Sequence, residues 1–310
     1  MSELASESSA LRPQEDWGFF GPESPTWKVW SHPTALIGFQ RSVVLEHFDP
    51  DLAAAVADSA GIYTDPARRL DHTLAYFLTV ATADGATAIA ASEHLQKVHA
   101  RATGIEPISG RRYSANAPAS QLWIHVTGWH SVLKCYEMYG PGPLTPAEEQ
   151  RYWRESVIAA ELQTCRSSDV PASRAEVREY FAQVRPRLCS SERAHAGMHY
   201  LLRTPWRKGG GRFAALSRLI APATIASLPA WMGEVGGFGQ PAVVGRAYRP
   251  AVRAAIAATT PSIALALLSS ALPATSAVYR RHHFGPPPLH RTIVTPEEAR
   301  TATRTLRLAR

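Results

Sequence analysis

A chain of 310 residues, 45% hydrophobic and 19% charged, has material for a large buried core and excludes a disordered or fibrous protein. Its 33 Lys and Arg against 26 Asp and Glu leave a net charge of +7. No nucleic-acid-binding motif accompanies the arginines, so no nucleic-acid partner is expected.

Residues 1–16 are rich in Ser and Glu and lack the apolar core of a secretory signal, which predicts a flexible N-terminal arm. From Trp17 to Trp27, aromatics alternate with Gly21, Pro22 and Pro25, the composition of an ordered loop seating its rings on a core. The apolar run from Pro33 to Phe48 predicts a helix that Asp49-Pro50 stops, and a second helix follows over Leu52–Ser59. His47 falls in the last turn of the first of these helices, where a cation near a helix C-terminus is ordinary electrostatics and pocket contact is the alternative.

Asp65 and Pro66 suit the N-cap and first position of a helix carrying Arg69, His72 and Thr73. Asp84-Gly85 breaks the pattern and opens a second Ala-rich helix ending near His99, shortly before Gly104. An imidazole on such a rigid last turn can offer one ring nitrogen to a metal, although most histidines bind none.

Residues 105–118, with Pro107, Gly110 and Pro118, read as a loop, and Ser120–Tyr139 as a helix rich in large apolar residues. Trp123, Thr127 and His130 share one face of it, fit to wall a cavity or simply to fill a core. Thr145 and Glu148 have capping-box spacing at the start of a polar helix running to Glu161. Further helices are predicted over 174–188, 213–228 and 242–258. The apolar stretch Ser262–Leu272, bounded by prolines, is too short to span a bilayer and reads as a buried helix, with association at a membrane surface as the open alternative. Lys208-Gly209-Gly210-Gly211-Arg212 lacks both the strand and the Lys-Ser/Thr of a phosphate loop. Arg291, Arg300, Arg304, Arg307 and Arg310 make 291–310 a basic, solvated tail. Cys135, Cys165 and Cys189 have no paired spacing, so no disulfide framework is expected and a cytoplasmic location is.

Between Gly18 and Thr127 the order of motifs resembles the MpaB-type oxygenase family, which includes the catalytic domains of rubber-cleaving latex-clearing proteins. The resemblance is carried by Phe20-Gly21-Pro22-Glu23-Ser24, Thr26-Trp27, His32-Pro33, His47, Asp49-Pro50 and Asp65-Pro66. It continues through Arg69 and Thr73, His99-Ala100-Arg101, Gly104, Gly110-Arg111, Tyr113-Ser114-Ala115 and Trp123 to Thr127.

The resemblance implies an all-α, globin-like domain over 17–290 with additional C-terminal helices, holding haem b through His99. It also places Arg69 and Thr73 beside the haem. At i and i+4 the two share a helix face, which suits an Arg-to-propionate contact beside a hydroxyl. Where rubber-cleaving relatives can carry a lysine as second axial ligand, this chain has His72, which opens a bis-histidine alternative. Relatives often have arginines one turn either side of the ligand. Here those positions are Gln96 and Thr103, with Lys97 and Arg101 displaced as the remaining basic candidates for propionate contact. His125 is the runner-up ligand.

The reading is therefore a haem oxygenase with His99 on the iron and Arg69, His72 and Thr73 as catalytic candidates. By analogy it turns dioxygen or a peroxide on an apolar, olefinic or isoprenoid-like substrate. A haem sensor or carrier with bis-histidine ligation and a cofactor-free helical protein are the alternatives.

Overall fold

A computed structural model describes residues 11–59 and 61–308, and within them the regular structure is seventeen α-helices, two single-turn 3₁₀ helices (Ser167–Asp169 and Arg185–Arg187) and one two-stranded antiparallel sheet. The protein is all-α, as the resemblance implies.

Helix α1 (Pro25–Trp30) is capped by Ser24, whose side chain accepts from the backbone N–H groups of Thr26 and Trp27. It takes its place where the sequence suggests an aromatic loop. Helix α2 (Ala35–Glu46) is followed by α3 (Pro50–Ser59) and the single turn α4 (Gly61–Thr64).

Helix α5 (Pro66–Thr82) begins as its sequence dictates: the Asp65 carboxylate accepts from Arg68 N at 3.2 Å and Pro66 fills the first turn. Asp84 then caps α6 (Gly85–His99) by accepting from Thr87 N at 2.7 Å. The two form an antiparallel hairpin. A short ribbon, β1 (Thr103–Ile105) with β2 (Arg112–Ser114), follows α6 in register Gly104 to Tyr113, within the stretch the sequence suggests is a loop. Strands of three residues are too short to show a period of two. Gly104 is required there: a Cβ would meet the Tyr113 hydroxyl at 2.6 Å.

The long helix α7 (Pro118–Tyr139) packs most heavily on α2. Gly38 allows that approach, because a Cβ there would lie 2.6 Å from the Cα of Val132. Trp30 stacks on Phe77 with ring centroids 5.6 Å apart and meets Trp129 edge-on, which fills the core among α1, α5 and α7. Helix α8 (Pro146–Ala160) opens with the expected capping box of Thr145 and Glu148. It is followed by α9 (Arg174–Val184), α10 (Glu192–Leu202), α11 (Trp206–Gly209), α12 (Gly211–Ser227) and α13 (Ala230–Val235).

The remaining helices are α14 (Ala242–Ala257), α15 (Pro261–Ala271), α16 (Pro273–Phe284) and α17 (Pro296–Leu308). The stretch expected to be a buried helix, α15, buries only Ala264, Leu265 and Leu268. The segment expected to be a solvated tail instead carries α17, which packs on α6: Gly85 is covered by Val294 and Ala299, so the tail's apolar residues hold it to the core. Of the arm expected over 1–16, residues 1–10 lie outside the described residues. Residues 14–18 run along 289–294, with backbone bonds from Leu289 N, His290 N and Val294 N to the carbonyls of Gln14, Glu15 and Gly18. Asp16 Oδ1 accepts from both Gly18 N and Gly85 N.

Candidate functional site

The α5–α6 hairpin sets which side chains face each other. Tyr76 Oη lies 3.4 Å from Ser92 Oγ. Two turns toward the open end on each antiparallel helix bring Arg69 opposite His99. The guanidinium is near enough that its charge acts on the imidazole, and burial together with that charge lowers the His99 pKa below the ordinary histidine value. Arg69 and His99 therefore face each other across the hairpin.

His99 is held from one side. Gln121, in the first turn of α7, has its Nε2 3.2 Å from His99 Nδ1 and donates its other proton to Ala115 O at 2.6 Å. The β1–β2 ribbon leads into Ala115, whose N–H donates to Ala102 O, so it aligns Gln121 against the ligand candidate. His99 keeps accessible surface, and its Nε2 is not among the enclosed polar atoms lacking a partner.

A carboxylate that sequence reasoning missed completes the cluster. Glu46 ends α2 and accepts a hydrogen bond from Ser42 Oγ at 2.7 Å; the Thr127 hydroxyl is nearby but donates to Trp123 O at 2.7 Å. Burial pushes its pKa up to about 7, against the opposing pull of these hydroxyls and of Arg69. Arg69 in turn has its pKa lowered by burial, partly offset by Glu46, and donates to Ser59 Oγ. The available signal was the spacing of Ser42 and Glu46, one turn apart in a largely apolar helix that also holds Gln40 and Arg41. A lone Glu at a helix end does not announce burial.

The other candidates are placed differently. Thr73 sits one turn beyond Arg69 and spends its hydroxyl on Arg69 O at 2.9 Å. Both Thr73 and His72 are exposed on α5, and Lys97 and Arg101 are exposed around the end of α6. Lys97 and Arg101 are not brought into the cluster. Neither is His125: it is fully buried toward α8, with Nε2 2.8 Å from Ser156 O, and burial lowers its pKa to about 4. His47 Nδ1 donates to Val43 O at 2.6 Å, leaving Nε2 without a partner, but a Cβ on Gly197 would lie 2.7 Å from that nitrogen. Helix α10 therefore packs where a metal would have to sit, and His47 is a packing residue.

Among the described residues no group of three or more His, Cys, Asp or Glu is arranged to hold a bare metal ion. The chemistry gathered here is one imidazole with an available nitrogen, a half-buried guanidinium and a half-buried carboxyl whose pKa is pushed up to about 7. That donor set suits a group needing one protein ligand, such as a haem, better than an ion needing several.

An all-helical domain carrying such a cluster at the mouth of a helical hairpin belongs to a recognisable class. The family model described as ER-bound oxygenase mpaB/B'/Rubber oxygenase, catalytic domain, matches residues 27–258, and the chain belongs to that family of oxygenases. Neither a curated protein nor a solved structure matches the chain.

Proposed function

We propose that the protein is a haem b-dependent oxygenase that acts on an apolar, olefinic or isoprenoid-like substrate with dioxygen or a peroxide as oxidant. The observation that carries this reading is the juxtaposition of His99, held through Nδ1, with Arg69 in a chain whose family is one of oxygenases. Haem iron, when bound, supplies the oxygen activation. His99 would hold it through Nε2, and Arg69 would meet a propionate or another anion at the site's edge. Coordination through Nε2 would put the ring proton on Nδ1, so the Gln121 amide, whose Nε2 faces that nitrogen and also donates to Ala115 O, would have to move aside as the imidazole ligates.

Glu46 is the group suited to accept and return a proton at substrate carbon. A carboxyl with a pKa near the working pH is present in both forms. Thr73 lies on the same helix face as Arg69, within one turn of the anion-binding position.

The test is an absorption spectrum of the purified chain after reconstitution with haem. Wild type should give a Soret band, His99→Ala should lose it, and His125→Ala should keep it. A band that survives loss of the His99 imidazole overturns the assignment. With a linear polyene hydrocarbon as substrate, Glu46→Gln should keep the band while oxygenation falls by about 10²-fold or more, the usual worth of a general base.

A further inference from the structure

A cavity of about 380 Å³ lies away from His99, between α2 and α5 on one side and α12, α14, α15 and α16 on the other. Its walls are almost entirely hydrocarbon: Leu74 and Leu78 of α5, Ile220 of α12, Val252 and Ile256 of α14, and Leu268 of α15. Tyr248 also lines it, but its hydroxyl is spent on Leu219 O at 2.6 Å. A smaller apolar pocket shares Leu36, Leu216 and Ile220 with this cavity and extends to Val43 and Leu70, the neighbours in sequence of the Glu46 and Arg69 turns.

The cavity opens through apolar side chains. Leu219 and Leu267 both line it, yet they are 64% and 52% exposed, and Ile263 beside them on α15 is 47% exposed. A rim of this kind is unfavourable against water, and on a monomer it marks an interaction site. No residue from 235 to 296 is an Asp or Glu, while the same stretch holds Arg246, Arg249, Arg253, Arg280, Arg281 and Arg291. Arg246, Arg249 and Arg253 form one stripe of α14, roughly a third of a turn from the cavity-lining face by the 3.6-residue period; the latter two also reach Met138 O at 3.3 Å. No single helix among the described residues is long and apolar enough to cross a membrane, and α14 and α15 meet at 106°. Taken together, the bent pair has the length and composition of a broken span or re-entrant segment, so it is apolar enough to enter a lipid layer.

We propose that the α14–α15 face seats on the headgroup–acyl boundary of an anionic lipid surface, and that the cavity behind it draws in a hydrocarbon chain from that layer. Apolar residues at the mouth enter the acyl region while the arginine stripe meets lipid phosphates, the division of labour of an interfacial helix. A protein partner would have to match the arginine stripe of α14 with acids of its own, whereas an anionic membrane presents that charge everywhere. The inference deepens the proposed function by naming where an apolar substrate comes from, but docking itself does not need the haem.

The test is flotation of the full chain with vesicles of phosphatidylcholine alone or of phosphatidylcholine mixed with phosphatidylglycerol. Wild type should float with the mixed vesicles, not with the neutral ones, and less as salt rises. Leu219→Asp with Leu267→Asp should weaken binding roughly tenfold or more, as should Arg246→Glu. Circular dichroism should show each variant folded, and the exposed Ile263→Asp serves where the double variant is not. Ala255→Trp, which fills the cavity from α14, should float as wild type does but extract less pyrene-labelled phosphatidylglycerol. His99→Ala should float normally, which separates this result from the haem assignment. Absence of flotation, flotation indifferent to lipid charge, or rim variants that bind as wild type does each overturn the proposal. So does self-association through this face without vesicle binding.

Discussion

Asp71 offers the sharpest test of how the site-bearing helix is anchored. It is a buried carboxylate on α5, 2% exposed, with no cation paired to it; Oδ2 accepts from Ala274 N and Oδ1 from Thr275 N, each at 2.8 Å. Those donors are the first free N–H groups of α16, which has no side-chain cap of its own. Asp71 therefore caps a helix 203 residues away in sequence, and the positive end of that helix solvates the carboxylate. Truncation to Ala leaves two buried N–H groups without acceptors. At about 1.5–3 kcal/mol for a hydrogen bond to a charged group, Asp71→Ala should cost about 3–5 kcal/mol. In a chain of this size that lowers the thermal midpoint by on the order of 10 °C. Asp71→Asn keeps one acceptor and turns an N–H toward the second donor, so it should lose at least half as much. Differential scanning calorimetry of the three proteins under one buffer condition decides the matter. A midpoint for Asp71→Ala within about 2 °C of wild type would refute trans-capping as the device that holds α16 on α5.

Three further outcomes follow from the same coordinates. Because the folded-state pKa of Glu46 is raised from 4.5 to about 7, the folded protein binds the extra proton. Stability should therefore fall as pH rises between those values, and Glu46→Gln should flatten the slope in denaturant titrations taken across that window. Burial lowers the pKa of His32, His47 and His125 from 6.5 to about 4. Their contribution is present above about 6.5 and should be lost as pH falls toward about 4, read as proton uptake on acid unfolding; His125→Phe should reduce that uptake by about one proton. Gly197→Ala would place a Cβ 2.6 Å from Cδ2 of the pinned His47 ring and should destabilise by about 1–3 kcal/mol, measured by urea titration. His47→Ala should relieve most of that cost in the double variant.

What could be read from the residues alone was what local chemistry decides. Asp65-Pro66, Asp84-Gly85 and Thr145 with Glu148 punctuate the chain through side-chain-to-backbone bonds within three residues, and each forms as expected. The pairing of Arg69 with His99 came from resemblance, and the antiparallel register makes geometric sense of it. Burial is a tertiary property. Glu46 becomes unusual only when α5 and α7 close over the end of α2, and Gln121 matters only because the β ribbon delivers Ala115 to it. His125, in a run of apolar and aromatic residues, could equally have faced the cluster; the rotation of α7 turns it to Ser156 instead. The basic composition of 291–310 concealed Val294 and Ala299, which dock on Gly85.

The clasp at Gly85 also has a bearing on how the protein is made. Asp16, the strand-like pairing of 14–18 with 289–294, and Ala299 all converge on the turn that joins the two helices carrying Arg69 and His99. Residues 289–299 leave the ribosome after everything they fasten, so the hairpin stays unlatched through most of translation. Contacts so distant along the chain form slowly, because loop closure must precede any gain from them. A large prosthetic group would thus meet an open hairpin during synthesis and a latched one afterwards.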